Sequence, residues 1–333
     1  MPDSTIQPLL SICIPTYNRA KMLTVCLDSM LNQFADEGVA SLVEVVVSDN
    51  ASSDGTEKLV LEYQKKFPQI KYFRNPENLG ADRNIANSVI KATGKYGWYF
   101  GDDDALAPGA IKYVVGILQK FQPAVVGFKS VDLETPDKVP GPEVRVLEKD
   151  PKVLEDFREF VEKGYCVGTL SVLAFDRDLW LSTDKTNTHP LWECIEIIFR
   201  LIAKAKGRNL VYIDQVCVYT GVGGGWVKNG TELDTFLNWK EIHSSLVRYG
   251  YDENWVRKEQ VHFPKDLILI LLRAKGHDLS MDLKHLKRIY SNFSGHYFYL
   301  SLATLIFFVP NFVIKAVRDT KKNLKTKIKP NVI

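Results

Sequence analysis

YGWYFGDDDALAP (Tyr96–Pro108) sets three consecutive carboxylates, Asp102, Asp103 and Asp104, directly behind a β-rich apolar run and ahead of a helical pattern. A strand that ends in acids and turns into a helix belongs to an open α/β sheet, whose ligands sit in the crevice beyond the carboxyl ends of its strands. The surrounding sequence repeats that pattern. Residues Leu9–Pro15, Val43–Asp49, Ile70–Arg74, Tyr96–Phe100 and Ala124–Lys129 read as strands. Helical spacing falls on Leu23, Leu27, Met30 and Leu31, on the stretch from Ser52 to Phe67, and on Pro108–Lys120. Alternation of this kind predicts a mostly parallel central sheet flanked by helices. Farther on, Leu154–Lys163 and Leu191–Lys206 read as helices, and Thr169–Phe175 and Leu210–Ile213 as strands. Residues 131–149 read as a loop, Gly221–Trp226 as a glycine-rich turn, and the last hundred residues as mostly helical. The expected division is 1–130 and 131–230, two halves of one α/β domain, and a helical region at 231–333.

Composition excludes several classes. The chain has 333 residues, is 45% hydrophobic and has a formal charge of +3, which is globular rather than disordered. Residues 315–333 hold seven Lys or Arg against the single acid Asp319, so a net −3 is left for the remainder. A body of acidic balance argues against a nucleic-acid partner. Five scattered cysteines suggest neither a disulfide framework nor a zinc knuckle, and a reducing cytoplasm fits them. No signal peptide is expected from the first residues. The run Tyr297–Ile314, interrupted by Pro310 and Asn311 and followed by the basic tail, suits a helix in or on the surface of an anionic membrane. The alternative is a buried core helix with a disordered basic tail.

Three strings carry chemistry. Carboxylates crowded as in Asp102–Asp104 repel by about 4 kcal/mol per pair at 4 Å in a partly buried site, and so call for a proton or a cation. With a diphosphate they form the oxygen shell that Mn²⁺ or Mg²⁺ prefers, although a solvated acidic turn or a calcium loop would read alike. SDNASSDGT puts Asp49 at a strand end, where it can accept from a pyrimidine imide or a ribose hydroxyl, while Asp54 suits either a ligand or a helix-capping turn. IPTYNRA ends the first strand in a polar turn that could line a base pocket.

In this order and spacing the strings resemble glycosyltransferase family 2, of the GT-A fold, over about residues 8–130. Pro15, Thr16, Tyr17 and Asn18 match the family's first turn, Asp49 to Thr56 its second motif, and Asp102 to Asp104 its D-x-D motif. NPENLGADRN looks like a further family stretch, which implies that Arg83 lies near the diphosphate. FGDDDALA and NLGADRN are similar to O-antigen transferases of the abequosyltransferase type. The resemblance implies an inverting, metal-dependent enzyme using a nucleoside-diphosphate sugar and a glycan or polyprenyl-linked acceptor at the cytoplasmic membrane face. Pro15, Thr16, Tyr17, Asn18, Asp49, Asn50, Arg83, Asp102 and Asp103 would bind the donor, and Asp102 and Asp104 the metal. The chain departs from its relatives twice. Gly101 stands where many have Asp, and Glu193-Cys194 where many have Glu-Asp before the equivalent of Arg200. Glu193 is therefore the first candidate for the base, with Glu196 and His189 in reserve. Loss of the base would instead leave a silent nucleotide-sugar-binding or scaffold protein. Trp226 is placed to stack on a sugar.

Overall fold

The structure is a computed structural model that describes residues 7–34, 37–133, 150–154, 156, 158–159, 170–221, 232–279 and 281–327. The chain forms two compact units, Met1–Gly223 and Gly224–Ile333, so the two expected α/β halves share one unit.

In the first unit, β1 (Leu10–Thr16), α1 (Ala20–Leu31), β2 (Val43–Asp49), α2 (Thr56–Lys66), β3 (Ile70–Arg74) and β4 (Tyr96–Tyr99) follow the expected alternation, with an unexpected helix, α3 (Ala81–Lys91), between β3 and β4. Next come β5 (Ala105–Leu106), α4 (Ala110–Phe121), β6 (Val125–Asp132), β7 (Lys152–Leu154), β8 (Leu173–Asp176), α5 (Arg177–Ser182), α6 (Glu193–Lys204) and β9 (Leu210–Thr220). The strand order is β3-β2-β1-β4-β8-β6-β9-β5, with β7 also on β9. The β-branched run of β2 is buried along its whole length, as a central strand should be. Glu44, near its start, accepts from Ser11 Oγ at 2.6 Å and from the Thr93 amide at 2.6 Å, which ties together the starts of β1, β2 and β4.

The sheet is parallel from β3 to β4. It then turns antiparallel at β8, which pairs with both β4 and β6. The chain builds outward from β1 through β2 and β3, then returns to lay β4 on β1's other side. That reversal opens a crevice beyond the carboxyl ends of β1 and β4.

Several sequence expectations change here. Leu154 closes the short strand β7 instead of opening a helix, because Val153 pairs with Val211 far along the chain. Leu170–Val172 is a 3-10 turn ahead of β8, and β9 runs on to Thr220. Apart from Gly221, the expected turn at 221–226 lies outside the described residues, Trp226 included, as does most of the loop at 131–149.

The second unit is helical: α7 (Glu232–Ser245), α8 (Glu253–Glu259), α9 (Phe263–Gly276), α10 (Leu283–Asn292), α11 (Tyr297–Phe308) and α12 (Asn311–Lys327). Leu237, Leu267, Leu271, Phe293, Leu300, Ala303 and Ile306 belong to its core. Each large apolar side chain buried there contributes about 1.5–3 kcal/mol.

Candidate active site

The crevice begins at two clipped turns. Beyond β1, the Asn18 amide donates to Ser52 Oγ at 2.9 Å, and Asn18 Oδ1 accepts from the Ser53 amide at 2.7 Å. Asp54 Oδ2 accepts from the Ala20 amide, the first of α1, at 3.0 Å, and Oδ1 accepts from Thr56 Oγ1 at 2.6 Å. Asp54 thus takes the turn-capping role, and these hydrogen bonds hold its pKa below the ordinary carboxylate value despite some desolvation. Asn18 and Ala51 have φ of 53° and 64°. Left-handed backbone at a non-glycine residue costs energy and tends to cluster at functional sites.

Asp49 is fully buried. Its carboxylate accepts from the Ser52 amide at 2.9 Å, Tyr72 Oη at 2.6 Å and Arg74 NH1 at 3.0 Å. Asn50 is buried in an amide network: it donates to Asn78 Oδ1 at 2.7 Å and accepts from Asn75 Nδ2 at 3.1 Å and the Leu79 amide at 2.9 Å. Asn50 therefore shapes the Asn75–Gly80 loop that leads into α3. Tyr17 is exposed on the rim, and Arg83 is exposed in the first turn of α3.

The acidic string lies at the end of β4. Thr16 Oγ1 donates to Asp102 Oδ2 at 2.7 Å, and Arg19 NH1 lies 3.0 Å from Asp102 Oδ1 and 3.1 Å from Asp103 Oδ2. Burial pushes the Asp102 pKa up to about 6, against the pull of Arg19 and Thr16. Asp104 faces another way, accepting from Ser171 Oγ at 2.5 Å and the Gly221 amide at 2.8 Å. Burial carries its pKa to about 7 against those two hydrogen bonds. Gly221 cannot be another residue without displacement, since a Cβ there would stand 1.9 Å from the Asp103 carbonyl oxygen.

A divalent cation fits this donor set. A Cβ on Gly101 would stand 3.0 Å from both Asp103 Oδ1 and Asp104 Oδ2, so the missing side chain leaves a small cradle faced by two carboxylate oxygens. Asp103 Oδ1 and Asp104 Oδ2 thus approach one point, while Asp102, expected from sequence to share the metal with Asp104, is turned to Thr16 and Arg19. Among the described residues no three His, Cys, Asp or Glu side chains form a complete cage. Mg²⁺-type sites commonly take one or two carboxylates and complete their shell with substrate phosphate and water.

A second group of residues surrounds the N-terminus of α6. Glu193 is half-buried and accepts from Thr188 Oγ1 at 2.8 Å. Glu196 is fully buried. It accepts from the His189 amide at 2.8 Å, meets His189 Nδ1 at 2.9 Å and pairs with Arg200 NH2 at 2.8 Å. Burial works to raise its pKa, but His189 and Arg200 prevail and hold it down at about 2. A group so enclosed and so weakly basic anchors the loop before α6, with His189 and Arg200 as its partners. Arg200 also donates to the Asp184, Thr186 and Asn187 carbonyls at 3.1, 2.7 and 3.2 Å, gathering the loop before α6. The Cys194 thiol is buried and pushed up to about 12, so it stays protonated.

Arg19, Ser171 and Asp82 were not singled out by sequence. Asp82 Oδ2 accepts from the Leu191 amide at 2.8 Å and holds Leu191 at φ 71°. Arg19 stands inside IPTYNRA, at the N-cap of a helix whose first turn has no acid, and that oddity was readable. Ser171 is 67 residues from Asp104 and carries no local signal.

A nucleotide-type α/β sheet whose switch-point crevice is lined by carboxylates is the architecture of GT-A glycosyltransferases, and solved structures share it. *Staphylococcus aureus* TarS 1-349 in complex with UDP-GlcNAc superposes with a TM-score of 0.58 over 93% of this chain and 92% of its own, at 16% identity. The mannosyltransferase PcManGT of *Pyrobaculum calidifontis*, in complex with GDP-Man and Mn²⁺, does so at 0.56 over 96% and 89%, at 17% identity. A family model for glycosyl transferase family 2 matches residues 11–179, and the chain belongs to that family. Abequosyltransferase RfbV of *Salmonella typhimurium* is 48% identical over 115 residues, 34% of this chain and 32% of its own. A *Campylobacter jejuni* GalNAc(5)-diNAcBac-PP-undecaprenol beta-1,3-glucosyltransferase is 38% identical over 106 residues, 31% and 32%. The matched part is about a third of these curated relatives' length.

Proposed function

We propose that this protein transfers a glycosyl group from a nucleoside-diphosphate sugar to a hydroxyl of a lipid-carried glycan, with inversion at the anomeric carbon. The observation that carries this reading is the crevice at the β1/β4 switch point, where Thr16, Arg19 and Asp102–Asp104 gather around an oxygen-lined cradle. The *Salmonella* relative is named for transfer of a sugar, and the *Campylobacter* relative for an acceptor on undecaprenyl diphosphate.

In this reading the clipped turns around Asn18, Asp49 and Asp54 shape the nucleoside side of the crevice, and Arg83 faces the diphosphate. Asp103 and Asp104, backed by Asp102, would hold Mn²⁺ or Mg²⁺, which supplies charge stabilisation to the departing diphosphate. Glu193 takes the proton of the acceptor hydroxyl as its oxygen attacks the anomeric carbon. The bond to the diphosphate breaks, and the nucleoside diphosphate leaves. A half-exposed carboxylate at a helix N-terminus can reach substrate in a way that the enclosed Glu196 cannot. The helical unit offers a membrane-facing surface and so keeps the enzyme on the cytoplasmic face.

Purified protein incubated with a panel of nucleotide sugars and a polyprenyl-diphosphate-linked glycan tests this. A transfer product that EDTA abolishes and Mn²⁺ restores is expected, and alanine at both Asp103 and Asp104 should lower it at least about a hundredfold. Transfer unaffected by that double substitution would remove the proposed site.

A further inference from the structure

Arg19 occupies a position at which a cation has no local reason to be. It precedes α1 at the N-cap, where Ser, Thr, Asp and Asn are favoured and where the helix dipole repels positive charge. It makes no side-chain cap; Asp54 caps the Ala20 amide in its place. What holds the guanidinium is acidic. A single nitrogen, NH1, bridges Asp102 and Asp103, and the side chain remains 42% exposed. This is one nitrogen shared between two carboxylates, not the two-pronged fork that makes an arginine pair tight. A guanidinium stays charged at any physiological pH, so a divalent ion arriving at the neighbouring oxygens, Asp103 Oδ1 and Asp104 Oδ2, meets a fixed positive charge on the other oxygen of Asp103 that has to move aside. The long, partly exposed stem permits that movement, and an incoming diphosphate supplies the anion to receive it.

We propose that Arg19 is a resident counter-cation of the Asp102–Asp103 pair, displaced onto the donor's diphosphate when metal enters, so that metal and nucleoside diphosphate bind together. The inference rests on the reading of this crevice as the donor site. It makes Arg19 a positioning residue that suppresses metal binding in the absence of donor. Because coupling between two ligands is reciprocal, the nucleotide tightens the metal by the same factor as the metal tightens the nucleotide.

The test is Mn²⁺ binding, followed by the paramagnetic signal of free Mn²⁺ and by calorimetry. MnCl₂ is titrated alone and with UDP, GDP, CDP or dTDP into the full chain, into Arg19→Gln and into Arg19→Lys, each checked by thermal melting. The native chain should bind MnCl₂ alone weakly and about tenfold or more tightly with the matching nucleotide. Arg19→Gln should bind MnCl₂ alone about tenfold more tightly than the native chain and lose most of the coupling. Arg19→Lys, which keeps the charge, should keep the weak affinity for MnCl₂ alone. If Arg19→Gln changes that affinity by less than about twofold, or if Arg19→Lys raises it as much as glutamine does, the counter-cation role is overturned. Absence of binding to MnCl₂ and to every nucleotide in the native chain would overturn the donor-site reading itself, a different result.

Discussion

Glu193 and Glu196 lie three residues apart on one helix and have opposite environments. Glu193, half-buried beside Thr188, is open to a substrate; Glu196 is enclosed by His189 and Arg200. Glu193→Gln is expected to lower kcat by about 10²–10⁴-fold with nucleotide affinity unchanged, measured by initial rates and equilibrium titration. Glu196→Gln is expected to act through stability, by about 3 kcal/mol, because it removes the buried carboxylate that pairs with Arg200 NH2. The pH dependence has a definite sign. The folded Glu196 titrates near 2 and its ordinary value is 4.5, so between them the unfolded chain binds a proton that the native chain does not. The stability it contributes is complete above about pH 4.5 and is lost as pH falls toward 2. Acid denaturation followed by circular dichroism should therefore be steeper in the native chain than in Glu196→Gln. Sequence periodicity placed both acids on a helix, but which one is enclosed depends on a loop gathered by Arg200, invisible to local pattern.

At the scale of elements, α3 connects the two groups of site residues. It packs against β1 and β2 and against α6, and its first turn carries both Arg83 and Asp82. Asp82 pins the amide of Leu191, whose φ of 71° is strained for a branched residue. Asp82→Ala is expected to release that loop and raise the acceptor KM several-fold, by about 1–3 kcal/mol of lost positioning, while the donor KM holds. Asp82→Asn, which keeps an accepting oxygen, should restore most of it. Bisubstrate kinetics distinguish the two, and an equal rise in donor KM would contradict the assignment. The strands β1 to β4 and the helices α1 and α2 were legible as apolar runs and as apolar faces of helical period, whereas α3 was not. The strands β5 and β7 were not, since two or three residues carry no period and owe their conformation to β9.

Across the whole molecule, no single described helix is long and apolar enough to cross a membrane; α11 and the start of α12 form a pair bent by 99°. Leu300, Ala303 and Ile306 turn into the helical core, while Phe298, Leu305 and Phe308 on α11 and Phe312 on α12 stand exposed. Lys275 secures the bend by donating to the Val309 carbonyl at 2.7 Å and Asn311 Oδ1 at 3.3 Å. The apolar run at 297–314, with its expected interruption at Pro310 and Asn311, is thus two helices resting on α9. Their apolar side chains, with the basic run after Lys315, suit the surface of an anionic bilayer, where each basic residue adds about 1 kcal/mol. Co-sedimentation with anionic vesicles should be strong at low salt and weaker at high salt, and serine at Phe298, Phe308 and Phe312 together should abolish it while nucleotide binding persists. Retained sedimentation in that variant would rule the surface out.

Local sequence by itself determined β1 to β4, β6, α1, α2 and α4, the acids at the strand ends and the family resemblance, because these depend on apolar pattern and on short motifs that neighbours along the chain suffice to build. Tertiary structure alone decided that Asp103 and Asp104 share the Gly101 cradle, that Arg19 neutralises Asp102, that Ser171 and Gly221 hold Asp104, and that Glu196 is enclosed. The contacts of Asp102 with Arg19 and of Asp104 with Ser171 and Gly221 join residues 67 to 117 apart, while the cradle and the enclosure of Glu196 depend on side-chain orientations that packing sets, so both are fixed only when the fold closes.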